Sequence, residues 1–428
     1  MSQTVAIVGG GVVGLSTALY AARRGHRVVV VERDAATRFT TSFGNAGLIT
    51  PSHVVPLAAP GVVAQGLKWM GDPESPFYVR PRLDPELVRW GWRFWRSGTA
   101  AHVARSVPVL RDLNLRSRQL YADLAAERDD FGLQLAGCLM LCDTAEGLDH
   151  EVAAAETARD AGLHAEVLDA SGVAALEPGL TLSVVGGVLY PEDGFLDPGA
   201  FMASLADRAT SAGAEIRWET TATGWRTEGD RVVALETAAG SLEADAFVVA
   251  GGAWTPNVIK SLGVRLPLQA GKGYHLHLAA PPERPRHSLI LVEGRVAVTP
   301  MNGNVRLAGT MEIAGLGTAI NPARLRGIVK AVPRYLPAFA GLDPAALPTW
   351  TGHRPCSPDG LPYVGRVGRW ANLVAATGHA MMGLSLGPVT GEMVAALVSG
   401  EAHPLATSAL DPGRFSGRAT TQNRPGVV

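Results

Sequence analysis

The segment VAIVGGGVVGLSTAL places Gly9, Gly11 and Gly14 in GxGxxG spacing between a short apolar run, Val5 to Val8, and an apolar periodicity through Val12, Leu15, Leu19 and Ala22. That pattern predicts a strand, a tight turn and a helix that stops at Gly25. Gly9 would permit the bend, Gly11 would let the backbone approach a pyrophosphate, and Gly14 would let helix and strand pack closely. The helix N-terminus would stabilise the phosphate charge. A second apolar run, Val28 to Val31, ends in Glu32, whose carboxylate would accept hydrogen bonds from ribose hydroxyls. The same carboxylate would repel a 2′-phosphate, so NADP is disfavoured while NAD and FAD stay open.

The remaining composition narrows the chemistry. Cys138, Cys142 and Cys356 are the only cysteines, too few for a disulfide framework and not spaced as a four-ligand zinc site, so no metal is expected and a reducing compartment fits. A net charge of -1 with scattered arginines argues against a nucleic-acid partner. No secretion leader is read at the N-terminus, and no run of about 18 uninterrupted apolar residues offers a membrane span. With 428 residues, 47% hydrophobic and 18% charged, the chain is folded and too long for one core; roughly two to three packing units are expected.

These residues need elements to position them. Between Pro51 and Pro85 proline, glycine and tryptophan cluster without sustained periodicity, which predicts an ordered, irregular crossover. From Pro85 to about Arg128 the spacing of Leu87, Trp90, Phe94, Leu110, Leu113, Leu120 and Leu124 is helical, and these helices are expected to leave the first domain. Trp69, Trp90, Trp92 and Trp95 could wall a pocket or line a path to an electron acceptor, but burial in a core is the expectation. No amphipathic basic helix stands out. Alternation in GVLYPEDGFLDPGAF, a helix over Met202 to Ala212, and the strand-like AEIRWETTATGW and DRVVALETAAG read as a return to the nucleotide domain. The strand in LEADAFVVAGGAW runs into a double glycine, after which Tyr274 to His277 and Leu289 to Thr299 alternate as in an antiparallel sheet.

Three further segments carry a family resemblance: TTSFGNAGLI (Thr40 to Ile49), HRPCSPDGLPYVG (His353 to Gly365) and ATGHAMMGLSLGPVTGEMVAAL (Ala376 to Leu397). With the glycine loop they make the chain resemble the D-amino acid oxidase and dehydrogenase superfamily of FAD enzymes, in particular bacterial D-amino acid dehydrogenases of the small-subunit type. PSHVVPLAAPG followed by PFYVRPRLDPELVRWGWRFWRS is also similar to the branch acting on D-proline and hydroxy-D-proline. The resemblance spans essentially the whole chain. It implies FAD as cofactor and an α/β fold, in which a Rossmann-type FAD-binding domain is interleaved with an α+β substrate domain built on an antiparallel sheet. On that basis residues 1–60, 145–265 and 350–416 are assigned to the FAD-binding domain, 61–144 and 266–349 to the substrate domain, and 417–428 to a tail.

The resemblance also implies site residues. Cofactor contacts are expected from Gly9, Gly11, Val12, Val13, Gly14, Glu32 and Arg33; from Ser42, Asn45, Ala46, Gly47 and Leu48; from Gly251; and from Gly378, His379, Met382 and Gly383. Arg354 is the candidate clamp for a substrate carboxylate, because a guanidinium binds it through two parallel hydrogen bonds; a buried ion pair is the structural alternative. Tyr274 matches a position where the family carries a substrate-facing aromatic, although Tyr274, Leu276 and His275, His277 could equally be two faces of an ordinary strand. His53 could accept an ammonium proton or serve as a hydrogen-bonded loop histidine. Where related glycine oxidases place a second arginine, this chain reads His379, Ala380, Met381, Met382, so Met381 suggests an apolar pocket wall. Cys356 lies near the covalent flavin attachment point of related sarcosine oxidases, but its spacing to Asp359 differs and no covalent link is expected.

The implied activity is FAD-dependent oxidative deamination of a small D-amino acid by hydride transfer from the alpha carbon, giving an imino acid or 2-oxo acid. Oxidation of D-proline, hydroxy-D-proline, sarcosine or glycine, oxidation of a 2-hydroxy acid, or a flavin-carrying subunit of a hetero-oligomeric dehydrogenase remain alternatives. The implied electron acceptor is oxygen or a quinone-linked chain. A cytoplasmic location is expected, with peripheral contact at the inner face of the membrane and oligomer formation left open.

Overall fold

The computed structural model describes residues 2–37 and 40–416; the tail assigned to 417–428 lies outside the described residues. The chain opens with β1 (Thr4–Val8), α1 (Val12–Arg23) and β2 (Arg27–Val31), the strand, turn and helix read from the glycine loop. An irregular crossover holds β3 (Leu48–Ile49), α2 (Val62–Trp69) and β4 (Phe77–Val79), and leads to α3 (Pro85–Ser97) and α4 (Ala100–Glu127). Then come β5 (Cys138–Cys142), α5 (Ala145–Asp160), β6 (Glu166–Asp169), α6 (Ala170–Leu176), β7 (Gly186–Tyr190), β8 (Gly194–Phe195), α7 (Pro198–Ser211) and β9 (Glu215–Arg217). A small meander, β10 (Ala222–Glu228), β11 (Arg231–Thr237) and β12 (Gly240–Glu243), precedes β13 (Ala246–Val249) and α8 (Thr255–Ile259). The remaining elements are β14 (Gln269–Leu278), β15 (Ser288–Leu291), β16 (Val296–Met301), β17 (Asn304–Ile313), α9 (Pro322–Ala331), β18 (Thr349–Cys356), β19 (Tyr363–Arg366), β20 (Leu373–Thr377) and α10 (Gly387–Val398).

Two sheets organise these elements. The first has the order β19-β20-β13-β1-β2-β9, parallel from β20 to β9 with β19 antiparallel at the edge. Its central strands are runs of valine, alanine and isoleucine buried on both faces, as a parallel sheet between two layers requires. Valines and leucines of α1, α7 and α10 bury one face. The second sheet runs β18-β14-β17-β16-β15-β5-β7-β6, mostly antiparallel, with β4 added in parallel to β17. Leu325, Ile328 and Val332 around α9 cover one face of it, over Tyr274, Leu276 and Leu307. The other face turns toward the cofactor loop described below.

The fold class is as expected, but the boundaries differ in three places. β6 and β7 lie inside the segment assigned to the FAD-binding domain, yet they join the second sheet. β18 also lies in a segment assigned to that domain and forms an edge of the second sheet beside β14. Conversely Tyr121 and Leu124 of α4 pack into the core of the first sheet, so this helix does not leave the first domain. Alternation identifies a strand but not its partner, because pairing is decided by contacts distant in sequence.

Candidate active site

The glycine loop is built for a close approach. Gly9 has φ +109°, and a Cβ on it would lie 2.6 Å from the Ala250 carbonyl oxygen, just ahead of Gly251. A Cβ on Gly14 would lie 1.8 Å from the Gly9 carbonyl oxygen, so helix and turn touch through backbone alone. The helix starts at Gly11 without a side-chain cap, and the Val12 N–H donates to Ser42 Oγ at 3.1 Å. Glu32, 8% exposed, accepts from the Gly10 N–H at 2.6 Å and the Asp34 N–H at 3.0 Å. These bonds orient its carboxylate beside the turn. Arg33 stacks over the Trp254 ring at 4.1 Å.

A second helix start lies next to the first. A Cβ on Gly387 would come 2.5 Å from Val12, and one on Gly391 would come 2.5 Å from Ser16. Helices α1 and α10 therefore run parallel and in register. Neither N-terminus has a side-chain cap or an acidic residue in its first turn. Two positive helix ends side by side favour a ligand with negative charge.

The loop Thr40 to Ile49 bridges the two sheets. Asn45 Oδ1 accepts from the Gly47 N–H at 2.9 Å, and Gly47 adopts φ +84°, where a Cβ would lie 2.4 Å from the Leu196 carbonyl oxygen. Leu48 and Ile49 then pair with β8. His275 Nδ1–H donates to the Gly44 carbonyl at 2.9 Å, and the ring stacks on Trp350 with centroids 4.9 Å apart. Arg306 donates to the carbonyls of Asn45 and Phe43. Burial holds its guanidinium down to about 10, and its Nε has no partner among the described residues. Ser42, Asn45, Ala46 and Leu48 keep part of their surface open.

Residues paired across neighbouring strands share a face, so Gly271, Gly273 and His275 of β14 lie with Arg354, Gly352 and Trp350 of β18 and with Ala308 of β17. The glycines of this face make room for larger side chains: the Arg354 guanidinium lies over Gly273, the Trp350 ring over Gly352, and Met311 beside Gly271. Arg354 Nη1 donates to the Thr310 carbonyl at 2.8 Å. That carbonyl is aimed by a bulge: between Lys272 and Tyr274 of β14 the register of β17 slips by one residue, and Thr310 takes φ +64°. Burial lowers the Arg354 pKa, and among the described residues no carboxylate pairs with it. The ion-pair alternative thus has no partner.

The other expected site residues divide. Tyr274 is not brought to Arg354: it lies on the opposite face, 1% exposed, with its hydroxyl donating to Glu312, which also pairs with Lys272 at 3.5 Å. Strict alternation along β14 places it there. His53 is half-buried; its Nδ1 lies 3.1 Å from Ser52 Oγ, which donates to Asp193 at 2.6 Å. Burial and the Arg295 cation hold His53 down to about 4, while burial pushes Asp193 up to about 7. His379 is buried with Nε2 2.9 Å from Thr390 Oγ1, and burial holds it at about 4. Its side chain is committed, which leaves the backbone of Gly378, Met382 and Gly383 to face a ligand. A bridge between Cys356 and His379 joins this turn to the end of β18. Met381 is 49% exposed.

Arg306, Trp350, Thr310 and Asp193 were not singled out from sequence. Arg306 had a visible signal, a cation amid the apolar NVRLAGTMEI. The bulge at Thr310 and the partner of Asp193 had none.

Comparison with known proteins identifies the architecture. Residues 4–397 match the family model described as FAD dependent oxidoreductase. The chain belongs to this family. It is 37% identical over 419 residues to a D-amino acid dehydrogenase of Methylobacterium radiotolerans, covering 96% of this chain and 99% of that protein. It is 33% identical over 422 residues to a D-amino acid dehydrogenase of Granulibacter bethesdensis, covering 96% of this chain and all of that protein. Among solved structures, glycine oxidase from Geobacillus kaustophilus is similar at 25% identity and a TM-score of 0.77, covering 96% of this chain and 99% of that one. As a member of the FAD-dependent oxidoreductases the chain uses FAD, and its residues fit that group. The side-chain-free turn at Gly9, Gly11 and Gly14 admits a pyrophosphate, the paired helix ends suit its charge, and Glu32 suits the ribose. Among the described residues no group of histidine, cysteine and carboxylate side chains could hold a metal, and no helix is long and apolar enough to cross a membrane.

Proposed function

We propose that this FAD-dependent oxidoreductase is a dehydrogenase that oxidises a small D-amino acid to its imino acid, which hydrolyses to a 2-oxo acid and ammonia. The observation that carries the reading is Arg354, a cation over Gly273 on the second sheet that no carboxylate pairs with among the described residues. A substrate carboxylate would take the place of that counter-ion through two parallel hydrogen bonds, fixing orientation as well as charge. The Thr310 carbonyl holds one guanidinium N–H and sets the plane of the remaining donors. His53, positioned by Ser52 and Asp193, is the sequence-based candidate for accepting the ammonium proton, but burial and the Arg295 cation hold its pKa down to about 4, which makes it a weak base for that step. Bound FAD supplies the hydride acceptor. The FAD contacts in this reading are Gly9, Gly11, Val12, Val13, Gly14, Glu32, Arg33, Ser42, Asn45 to Leu48, Gly251, and the backbone of Gly378 to Gly383.

The names of the relatives support D-amino acids as the substrate class and a dehydrogenase as the type of enzyme. The likeness to a glycine oxidase favours one second reading, oxidation of glycine or a secondary amine such as sarcosine. The test is anaerobic bleaching of the flavin absorbance against D- and L-amino acids, including D-proline and hydroxy-D-proline, with glycine, sarcosine and 2-hydroxy acids alongside. Bleaching by D-amino acids that disappears in Arg354→Ala is expected. Bleaching by glycine and sarcosine alone would move the assignment to the second reading, and activity on hydroxy acids without any amine would overturn both.

A further inference from the structure

Alone, His53 does not keep a proton near neutral pH, because burial and the Arg295 cation hold it down to about 4. Its neighbours do not share that weakness. Ser52 Oγ lies 3.1 Å from His53 Nδ1 and donates to Asp193 Oδ2 at 2.6 Å, while the Ser52 N–H donates to Asp193 Oδ1 at 2.9 Å. Asp193 is fully buried in the turn between β7 and β8, and among the described residues its carboxylate accepts from Ser52 alone. The charges near it oppose each other, Glu192 raising its pKa and Arg118 lowering it. Cys138 and Tyr190 also face it, and burial pushes both upward, so neither is ionised near neutral pH. Burial is the largest influence left, and it pushes Asp193 up to about 7. The other end of the chain is open: His53 is half-buried, and its Nε2 has no partner among the described residues. Arg295, the cation that His53 faces, adjoins the clamp, since a Cβ on Gly309, next to Thr310, would lie 3.2 Å from the Arg295 carbonyl oxygen.

We propose that His53, Ser52 and Asp193 form a relay that carries the ammonium proton of the substrate out of the site, with Asp193 as its final acceptor. The relay rests on the reading of an amino-acid substrate whose ammonium group meets His53. With Asp193 ionised, Oδ2 accepts from the Ser52 hydroxyl, Ser52 Oγ accepts from His53 Nδ1–H, and the Nε2 lone pair is free. The ammonium N–H bond breaks as Nε2–H forms, the Nδ1 proton passes to Ser52 Oγ, and the Ser52 hydroxyl proton passes to Asp193 Oδ2. As many bonds to hydrogen form as break, and the ring is neutral before and after. A weakly basic imidazole therefore suffices, because it only exchanges one tautomer for the other. The substrate is left as the neutral amine from which a hydride departs to the flavin. Reversal of the chain returns the proton to solvent at Nε2 once product has left. An anchor for the loop would need only the two Ser52 contacts; the open histidine at the other end makes them a path.

The test has two arms. In the first, the tautomer of His53 is read from the chemical shifts of its ring nitrogens in the flavin-loaded full chain without substrate, assigned with His53→Gln. The proton is expected on Nδ1 above about pH 7 and on Nε2 below it, with the ring neutral on both sides, and Asp193→Asn should abolish the change. One tautomer throughout, or a change that survives in Asp193→Asn, overturns the proposal. In the second arm, kcat/KM for the best bleaching D-amino acid is followed against pH. The relay levels the profile above about pH 7, where Asp193 is ionised. Asp193→Asn and Ser52→Ala should each lower kcat/KM roughly a hundredfold at pH 7 and move the rise up into the ordinary range of an ammonium group, since only free amine then reacts. Their combination should cost no more than either alone, and Ser52→Thr, which keeps a hydroxyl, should restore the profile. Unmoved profiles in variants that retain their flavin overturn the proposal. Should Asp193→Asn fail to fold, Ser52→Ala carries both arms. If no D-amino acid bleaches the flavin, the substrate reading falls by itself, and the tautomer arm still decides the relay.

Discussion

Arg354 lies over a glycine and gives one hydrogen bond to a bulged carbonyl, so its reach toward a ligand is set by backbone and not by a competing carboxylate. Removing such a clamp costs more than the charge, because the substrate carboxylate is then desolvated without a partner. Arg354→Ala is expected to lower kcat/KM by roughly two to three orders of magnitude, and Arg354→Lys to recover only part of it, since an ammonium cannot make the paired contact. Steady-state kinetics with the best bleaching substrate decides this; near-normal kcat/KM in Arg354→Ala would remove the clamp. Asp193 gives a pH signature at the same scale. Burial raises its carboxyl from the ordinary 3.8 to about 7, so its contribution to stability is fully present below about pH 4 and is lost as the pH rises through 7. The loss amounts to at most roughly 4 kcal/mol. Asp193→Asn should therefore flatten the fall in Tm between mildly acidic and mildly alkaline buffer; parallel curves for the two proteins would show that Asp193 does not titrate there.

At the scale of elements, the contact between α1 and the turn before it is the least forgiving. A Cβ at Gly14 would sit 1.8 Å from a backbone oxygen, and no side chain can yield to relieve it. Gly14→Ala should shift α1 away from β1 and cost most of the bound flavin, read as the ratio of flavin to protein absorbance after desalting; an unchanged ratio would show that the close packing is dispensable. This element was legible in the sequence because everything that defines it lies within Val5 to Glu32. The cradle made by α10 was legible from its glycines and from the resemblance, but its register on α1 was not. Tyr274 shows the limit: alternation revealed two faces of β14, and only the pairing with β18 says which of them carries Arg354. Trp92 and Trp95 show another. They lie on the side of α3 turned away from Leu87, Trp90 and Phe94 and are exposed, against the expectation of burial, because the helix is wider in apolar surface than the core beneath it.

For the whole molecule, FAD is expected to be held by geometry and not by a bond. Cys356 is fully buried and burial pushes its thiol up to about 12, so the thiolate that attachment would need is suppressed. Denaturation followed by filtration should release all flavin, whereas flavin retained on the protein would revive Cys356 as an attachment point. The residues proposed to hold FAD come from pieces distant in sequence, so the flavin-free chain should melt at a lower temperature by the mass action of a ligand that binds only the folded state. The path of the chain has one more consequence. It leaves the first sheet after β2, returns at β9, leaves again at β14 and returns at β19, so neither sheet is written as one stretch of sequence. No single cut separates a flavin half from a substrate half. A recombination event that swaps one contiguous block would carry off strands of both, so the two halves can be inherited only together, and new substrate preferences must arise by substitution within the face of the second sheet that carries Arg354 and not by exchange of modules.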